Sequence, residues 1–329
     1  MGAVQAQDYQ AALWGVALRT ADATEGTVER SIARGNIVRT WPMRGTLHVV
    51  APTDVRWMLK YLNPRVEGRT TSRHRQLGLD EKTFSRARTI LARSLAGGKR
   101  LRRDDLYALL ERHQVSCKGQ RGIHILNRLA REGLICFGPR EGKQHTFVLL
   151  DEWVPTVPMM SRDESLAELA FRYFRSHGPA TVRDFAWWTG LALTEARAAL
   201  EDIRRKLVSV LNAGETYWMT EDGPASRRTT SAAFFLPAFD EFLVGYTDRG
   251  ASVDRRHARR LYPGGGILHP TIVIDGRIVG TWRRSVSEVE ISVRTLPFAS
   301  PGRAARRAIA LAAQRLERHA EKPVKLLFG

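Results

Sequence analysis

Only two cysteines occur in 329 residues, Cys117 and Cys136, too far apart for a Cys-x-x-Cys unit and too few for a disulfide scaffold. A reducing cytoplasm is the compartment they fit. No apolar run approaches the roughly 20 residues a spanning helix requires, and no charged segment followed by an apolar one opens the chain, so neither membrane insertion nor Sec export is expected. The nine histidines include no His-Glu-x-x-His and no paired spacing, so no metal site is expected. A P-loop and a dinucleotide-binding glycine pattern are both missing. Gly264-Gly265-Gly266 precedes a strand rather than opening a helix and reads as a loop, so no cofactor is expected.

Acidic residues are in short supply as well: 34 Asp and Glu stand against 52 Lys and Arg, a net charge of +18. With 43% hydrophobic residues the chain has material for a sizeable core, and its length suits two or three domains, so the charge sits on a folded surface. That surface points to a polyanionic partner. The charge is unevenly spread. Residues 1–80 carry net +4, residues 81–150 net +9, residues 151–228 net −2 and residues 229–329 net +7. Arginine outnumbers lysine 44 to 8, which suits bidentate phosphate contacts, although a GC-rich genome gives the same bias.

A unit of helix, turn, helix, third helix ending at glycine, then two strands around a polar turn recurs, the pattern of a winged helix. The middle copy is clearest. Leu79 to Leu95, Arg102 to His113 and Arg121 to Glu132 read as its helices, Gly133 as a left-handed stop, and Ile135 to Phe137 with His145 to Leu149 as its wing around residues 138–142. In its third helix Ile123, Leu126, Leu129 and Ala130 make the apolar stripe, with Arg121, His124, Arg128 and Arg131 elsewhere on the surface. A further copy runs from Glu164 to about Thr220, with helices Leu166 to Ser176, Val182 to Thr189 and Thr194 to Leu207. The carboxylates mixed into its third helix fit a scaffold better than a phosphate reader. The first copy, Ala11 to Val50, is partial: a complete unit needs another helix before Met1.

From Thr229 the texture changes. Thr271 to Ile274 and Arg277 to Trp282 flank Asp275-Gly276, a two-residue hairpin signal because both turn positions need positive φ. A strand from Glu288 to Thr295 and a helix opened by Ser300-Pro301 follow. The expected fold is α+β: three tandem winged helix-turn-helix units at 1–78, 79–155 and 156–228, then a C-terminal α/β region at 229–329 carrying the hairpin 271–282, together forming a concave basic surface.

The segment Val4-Gln5-Ala6-Gln7-Asp8 is a candidate site. On a helix, residues two apart diverge by about 200°, so Gln5 and Gln7 could not converge; in extended chain they share a side. Asp8 is a good N-cap, which sets the two amides just before a helix begins. Each offers a donor and an acceptor, enough to hold a water; the bland alternative is two solvated glutamines. Trp282 reads either as a stacking platform for a displaced base or as core. Asp240 and Glu241 read as capping or turning the chain and stay outside the catalytic set. Arg44 and His48 border the first wing, where a structural role at a turn is the alternative. Trp187-Trp188 reads as core packing.

Val4 to Asp8 (VQAQD), Arg39 to Val50 (RTWPMRGTLHVV), Leu236 to Tyr246 (LPAFDEFLVGY) and His269 to Arg284 (HPTIVIDGRIVGTWRR), in this order over nearly the whole chain, resemble the winged-helix DNA glycosylases of the AlkZ and YcaQ group. The resemblance implies a basic concave surface for duplex DNA and excision of alkylated purines in DNA repair. In the AlkZ branch it implies unhooking of interstrand crosslinks as self-resistance to the producer's own antibiotic. It also implies a Q-x-Q or Q-x-D catalytic motif, matched by Gln5 and Gln7, and a β-hairpin in the DNA cleft, matched by the Asp275-Gly276 turn. The expected DNA contacts are Asp275, Gly276, Arg277, Arg283, Arg284, Arg121, Arg128 and Arg44. No lysine is placed as a Schiff-base nucleophile, so a monofunctional enzyme acting as a monomer in the cytoplasm, at the nucleoid, is expected. The competing class is a non-catalytic winged-helix DNA-binding protein such as a transcription regulator.

Overall fold

The computed structural model describes residues 1–222 and 232–329; the boundary expected at 228/229 lies outside the described residues. The chain opens with an extended strand β1 (Ala3–Gln5) and helix α1 (Tyr9–Ala17), then α2 (Glu25–Ala33) and the hairpin β2 (Val38–Met43) and β3 (Thr46–Val50). Helices α3 (Pro52–Leu62) and α4 (Pro64–Gln76) follow, each with a proline in its first turn, where the missing N–H costs nothing. The repeat pattern predicts neither.

The middle unit comprises α5 (Glu81–Leu95), β4 (Leu101–Arg102), α6 (Arg103–Arg112), α7 (Arg121–Arg131), β5 (Ile135–Glu141), β6 (Gln144–Leu149) and the short α8 (Leu150–Trp153). Its strands run further than expected, through residues 138–141, because a register shift between Phe137 and Arg140 absorbs the glycine and proline. On α7 the expected stripe is out by one position: Ile125, Leu126, Leu129 and Ala130 are fully buried whereas Ile123 is exposed, since Gly122 rather than Ile123 lies against Tyr107. The next unit comprises α9 (Arg162–His177), α10 (Val182–Thr189), α11 (Leu193–Ile203) and the hairpin β7 (Val208–Asn212) and β8 (Glu215–Met219). Trp188 is core, as expected; Trp187 is half exposed, its indole N–H donating to the Val244 carbonyl (3.2 Å).

The C-terminal region holds β9 (Ala233–Leu236), α12 (Glu241–Val244), α13 (Ala258–Leu261), β10 (Thr271–Ile274), β11 (Arg277–Val286), β12 (Ile291–Pro297), α14 (Arg303–Ala320) and β13 (Val324–Phe328). Its strands form one sheet in the order β13-β12-β11-β10-β9, against which α14 packs.

The blocks read from the sequence are stitched together. A six-stranded sheet, β1-β3-β2-β5-β6-β4, joins the first and middle units. Leu13 and Trp14 of α1 enter the core under the C-terminal sheet, beside Ile272, Trp282 and Ile309. Val55, Met58 and Leu62 of α3 share a core with Phe174, Phe185 and Trp188 of the third unit. We propose the four blocks as units of sequence, not of packing. Among the described residues, no helix is long and apolar enough to cross a membrane.

Candidate active site

The two glutamines lie where extended chain gives way to helix. β1 pairs antiparallel with β3, setting Gln5 opposite His48, and the Ala6 N–H donates to the Leu47 carbonyl (2.7 Å). The Ala6 carbonyl accepts two bonds, 3.1 and 3.0 Å, from the guanidinium of Arg39, which is buried over the Phe137 ring; burial pushes its pKa down to about 10. Asp8 then caps α1 by accepting from the Ala11 N–H (3.0 Å).

Both carboxamides end on the same hairpin turn. Arg44 Nη2 donates to Gln5 Oε1 (2.9 Å), and the Leu47 N–H donates to Gln7 Oε1 (2.9 Å). Each partner is a pure donor, so each amide oxygen is fixed toward the turn and the NH2 groups take the other branch. Gln5 is buried and Gln7 exposed.

Behind Gln5 stands a buried polar cluster that the sequence reading set aside. Glu241, the first residue of α12, accepts from the Gln5 N–H (2.7 Å) and from the Trp188 indole N–H (2.8 Å), with His177 Nε2 at 3.7 Å. Burial alone would raise its pKa; the polarity and charge of His177, His48 and Arg44 hold it at about 2 instead. Its neighbour Asp240 receives both terminal nitrogens of Arg19, 2.9 and 2.7 Å, and caps α12 by accepting from the Phe242 N–H. The capping role expected for these acids thus holds for Asp240. Glu241 does more, gripping the backbone of Gln5 across 236 residues of chain. Both are buried alike and only their long-range partners distinguish the two, which are not written in the string Asp-Glu-Phe.

The expected DNA contacts scatter. Asp275 and Gly276 do form a tight turn at positive φ, 49° and 76°, but it points to the segment 249–252: Arg277 Nη1 donates to the Ala251 carbonyl (2.9 Å). Arg283 and Arg284 lie at the far end of β11, about 20 Å from Arg277 at 3.3 Å per residue. There they border a cavity of about 380 Å³ shared with Asp8, Gln10, Trp14 and Pro237. At this end the β11–β12 hairpin shares the cavity with Asp8, and its tip exposes Val286 and Val289. Trp282 is buried, its N–H on the Leu236 carbonyl, so it is core and no stacking platform.

The guanidinium of Arg121 is turned onto the carbonyls of Leu77, Gly78 and Ser116, and that of Arg128 onto Glu67, Glu81 and Glu132. Their hydrogen-bonding capacity closes the end of α4 and a carboxylate cluster, which removes both from the proposed surface. Arg294, missed in the sequence, stands opposite Arg283 on β12. Among the described residues, no group of three His, Cys, Asp or Glu side chains could hold a metal ion.

A family model described as DNA glycosylase AlkZ-like matches residues 1–319. The chain is 27% identical over 311 residues to an interstrand DNA cross-link repair glycosylase of Streptomyces sahachiroi, covering 89% of this chain and 82% of that protein. Its fold superposes on the solved Streptomyces sahachiroi DNA glycosylase AlkZ with a TM-score of 0.78 at 25% identity, over 99% of this chain and 91% of that one.

Proposed function

The chain belongs to the AlkZ-like DNA glycosylase family, and we propose that it hydrolyses the N-glycosidic bond of cationic alkylated purines in duplex DNA, interstrand crosslinks included. The observation that carries this reading is the anchoring of Gln5 and Gln7 to one hairpin, with Asp8, next in the chain to Gln7, lining the cavity that Arg283 and Arg284 border.

N-glycosidic cleavage passes through an oxocarbenium-like sugar, for which glycosidases usually employ two carboxyl groups. A purine alkylated on its imidazole ring already carries positive charge and departs neutral, so no general acid has to protonate it. What remains is to hold a water against the anomeric carbon and to stabilise the developing cation. The NH2 group of Gln5 donates to one lone pair of the water oxygen and the second lone pair of Gln7 Oε1 accepts a water hydrogen, which leaves the other water lone pair for the anomeric carbon. DNA phosphates supply the negative charge. The carbon–nitrogen bond breaks and its electron pair neutralises the purine, while water adds to the anomeric carbon and releases one proton to solvent, leaving an abasic site. A three-unit winged-helix chain presenting Arg283, Arg284 and Arg294 to the duplex supports action as a monomer.

Release of 7-methylguanine from methylated duplex DNA tests the reading. Gln5→Ala with Gln7→Ala should abolish release while retaining most of the DNA affinity, and wild type should leave uracil in place. Equal release of uracil and 7-methylguanine, or undiminished release by the double variant, would refute it; binding without any release leaves a regulator-like protein.

A further inference from the structure

We propose that Arg44 is a positioning residue for the hydrolysis: by holding the oxygen of Gln5 it fixes which end of that carboxamide meets the water. The inference rests on the role assigned to Gln5 above.

Arg44 is the first residue of the two-residue turn between β2 and β3, at φ 56°, with Gly45 at 74°. Glycine, asparagine or aspartate takes this left-handed position readily; an arginine there holds a conformation its side chain disfavours. Such a residue persists where the surroundings over-determine it, and here they do. The Arg44 stem lies over Gly190, the left-handed cap of α10, where even a methyl group would come to 3.2 Å of Arg44 Cγ. Its Nη2 bonds Gln5 Oε1 and also His48 Nε2 (3.1 Å). His48 Nδ1 faces the Thr46 carbonyl (3.0 Å), a pure acceptor, so Nδ1 carries the hydrogen and Nε2 offers the lone pair that Arg44 uses.

Three elements therefore converge on one residue. The Arg44 cation takes the oxygen of Gln5, the Glu241 anion takes its backbone N–H, and neutral His48 keeps the guanidinium in the plane between them. A guanidinium turned inward in this way, with its Nε buried and unpartnered among the described residues, is poorly placed to neutralise a DNA phosphate. Without Arg44 the carboxamide is free to flip, and the water would meet an oxygen where it now meets two hydrogens. Misplacement on the scale of an ångström lowers a rate by about 10²-fold.

The test is single-turnover release of 7-methylguanine from methylated duplex DNA, read beside DNA affinity at several salt concentrations, for Arg44→Met, Arg44→Lys, Gln5→Ala and the double variant Gln5→Ala with Arg44→Met. Arg44→Met should lose about 10²-fold in rate, with Kd within about twofold and an unchanged salt slope. Arg44→Lys should recover part of the rate, because one ammonium can reach Gln5 or His48 but not hold both in a plane. The double variant should be no slower than Gln5→Ala alone.

A wild-type rate in Arg44→Met overturns the proposal. So does weaker binding with a shallower salt slope at full rate, which makes Arg44 a phosphate contact, and so do multiplying losses in the double variant, which make the two residues independent. Should Arg44→Met lack a cooperative melting transition, Arg44→Lys decides: folded and as fast as wild type, it refutes the positioning role. If Gln5→Ala itself releases base at full rate, the underlying reading of Gln5 fails instead, whatever Arg44 does.

Discussion

Arg283 and Arg294 stand directly opposite each other on antiparallel β11 and β12, both exposed and, among the described residues, neither in an ion pair. Like charges facing across a ladder destabilise it by a few tenths of a kcal/mol up to about 1, a cost that a bound phosphate would reverse. Arg294→Gln should leave the melting temperature unchanged or slightly higher. It should weaken duplex binding and reduce the slope of log affinity against log salt by about 0.9. Fluorescence anisotropy from low to moderate salt measures this; an unchanged slope would place the DNA elsewhere.

Glu241→Ala leaves the buried N–H groups of Gln5 and Trp188 without their acceptor. Each such loss costs about 1–3 kcal/mol, so the variant should melt several degrees lower and release base slowly even where it remains folded. Glu241→Gln keeps one acceptor oxygen and should fall between it and wild type. Thermal melting and single-turnover rates read both effects.

Acid should loosen the protein in two windows. Burial, with the charge of Arg44, pushes the pKa of His48 down to about 3, whereas the unfolded chain protonates near the usual 6.5. The unfolded state thus binds the extra proton, and stability that is full above pH 6.5 declines as pH falls toward 3, by about 2 kcal/mol at pH 5 from this residue. His74 and His145, held down to about 4, act in the same direction. Glu241 carries the second window: its stabilisation is full above about 4.5 and is lost as pH falls toward 2. Urea midpoints between pH 7 and 4 should fall continuously, and His48→Gln should flatten the upper part of that fall.

Gly190→Ala strains a left-handed cap at φ 79° and presses on the stem of Arg44. The backbone effect is about 1–2 kcal/mol. If Arg44 is displaced, base release should drop by more than DNA affinity does, although residue 190 lies in a different repeat from both glutamines. Parallel measurement of the two quantities separates a local strain from a transmitted one.

Periodicity and turn chemistry made most helices and hairpins legible: Val182–Thr189, the Asp275–Gly276 turn and the third wing lie where the pattern sets them. The extended course of Val4 and Gln5 was legible for a similar reason, because on a helix residues two apart diverge. The proline-opened α3 and α4 were not, since proline at a first turn and proline as a breaker look alike in a string. Long-range partners were also out of reach. Nothing local distinguishes the Arg121 guanidinium that closes the end of α4 from one that meets a phosphate, or tells Asp240 from Glu241. Arg44 was legible as a turn residue but not as a partner of Gln5, because the contact joins two strands through side chains whose direction the register alone leaves open.

The bond between the Gln5 amide and Glu241 spans 236 of the 329 residues, and Arg19 meets Asp240 across 221. A growing chain still on the ribosome can fold its early hairpins yet cannot complete the bond that grips Gln5 until Glu241 has emerged. A copy clipped before Glu241 lacks the acceptor that holds the backbone of Gln5 in place.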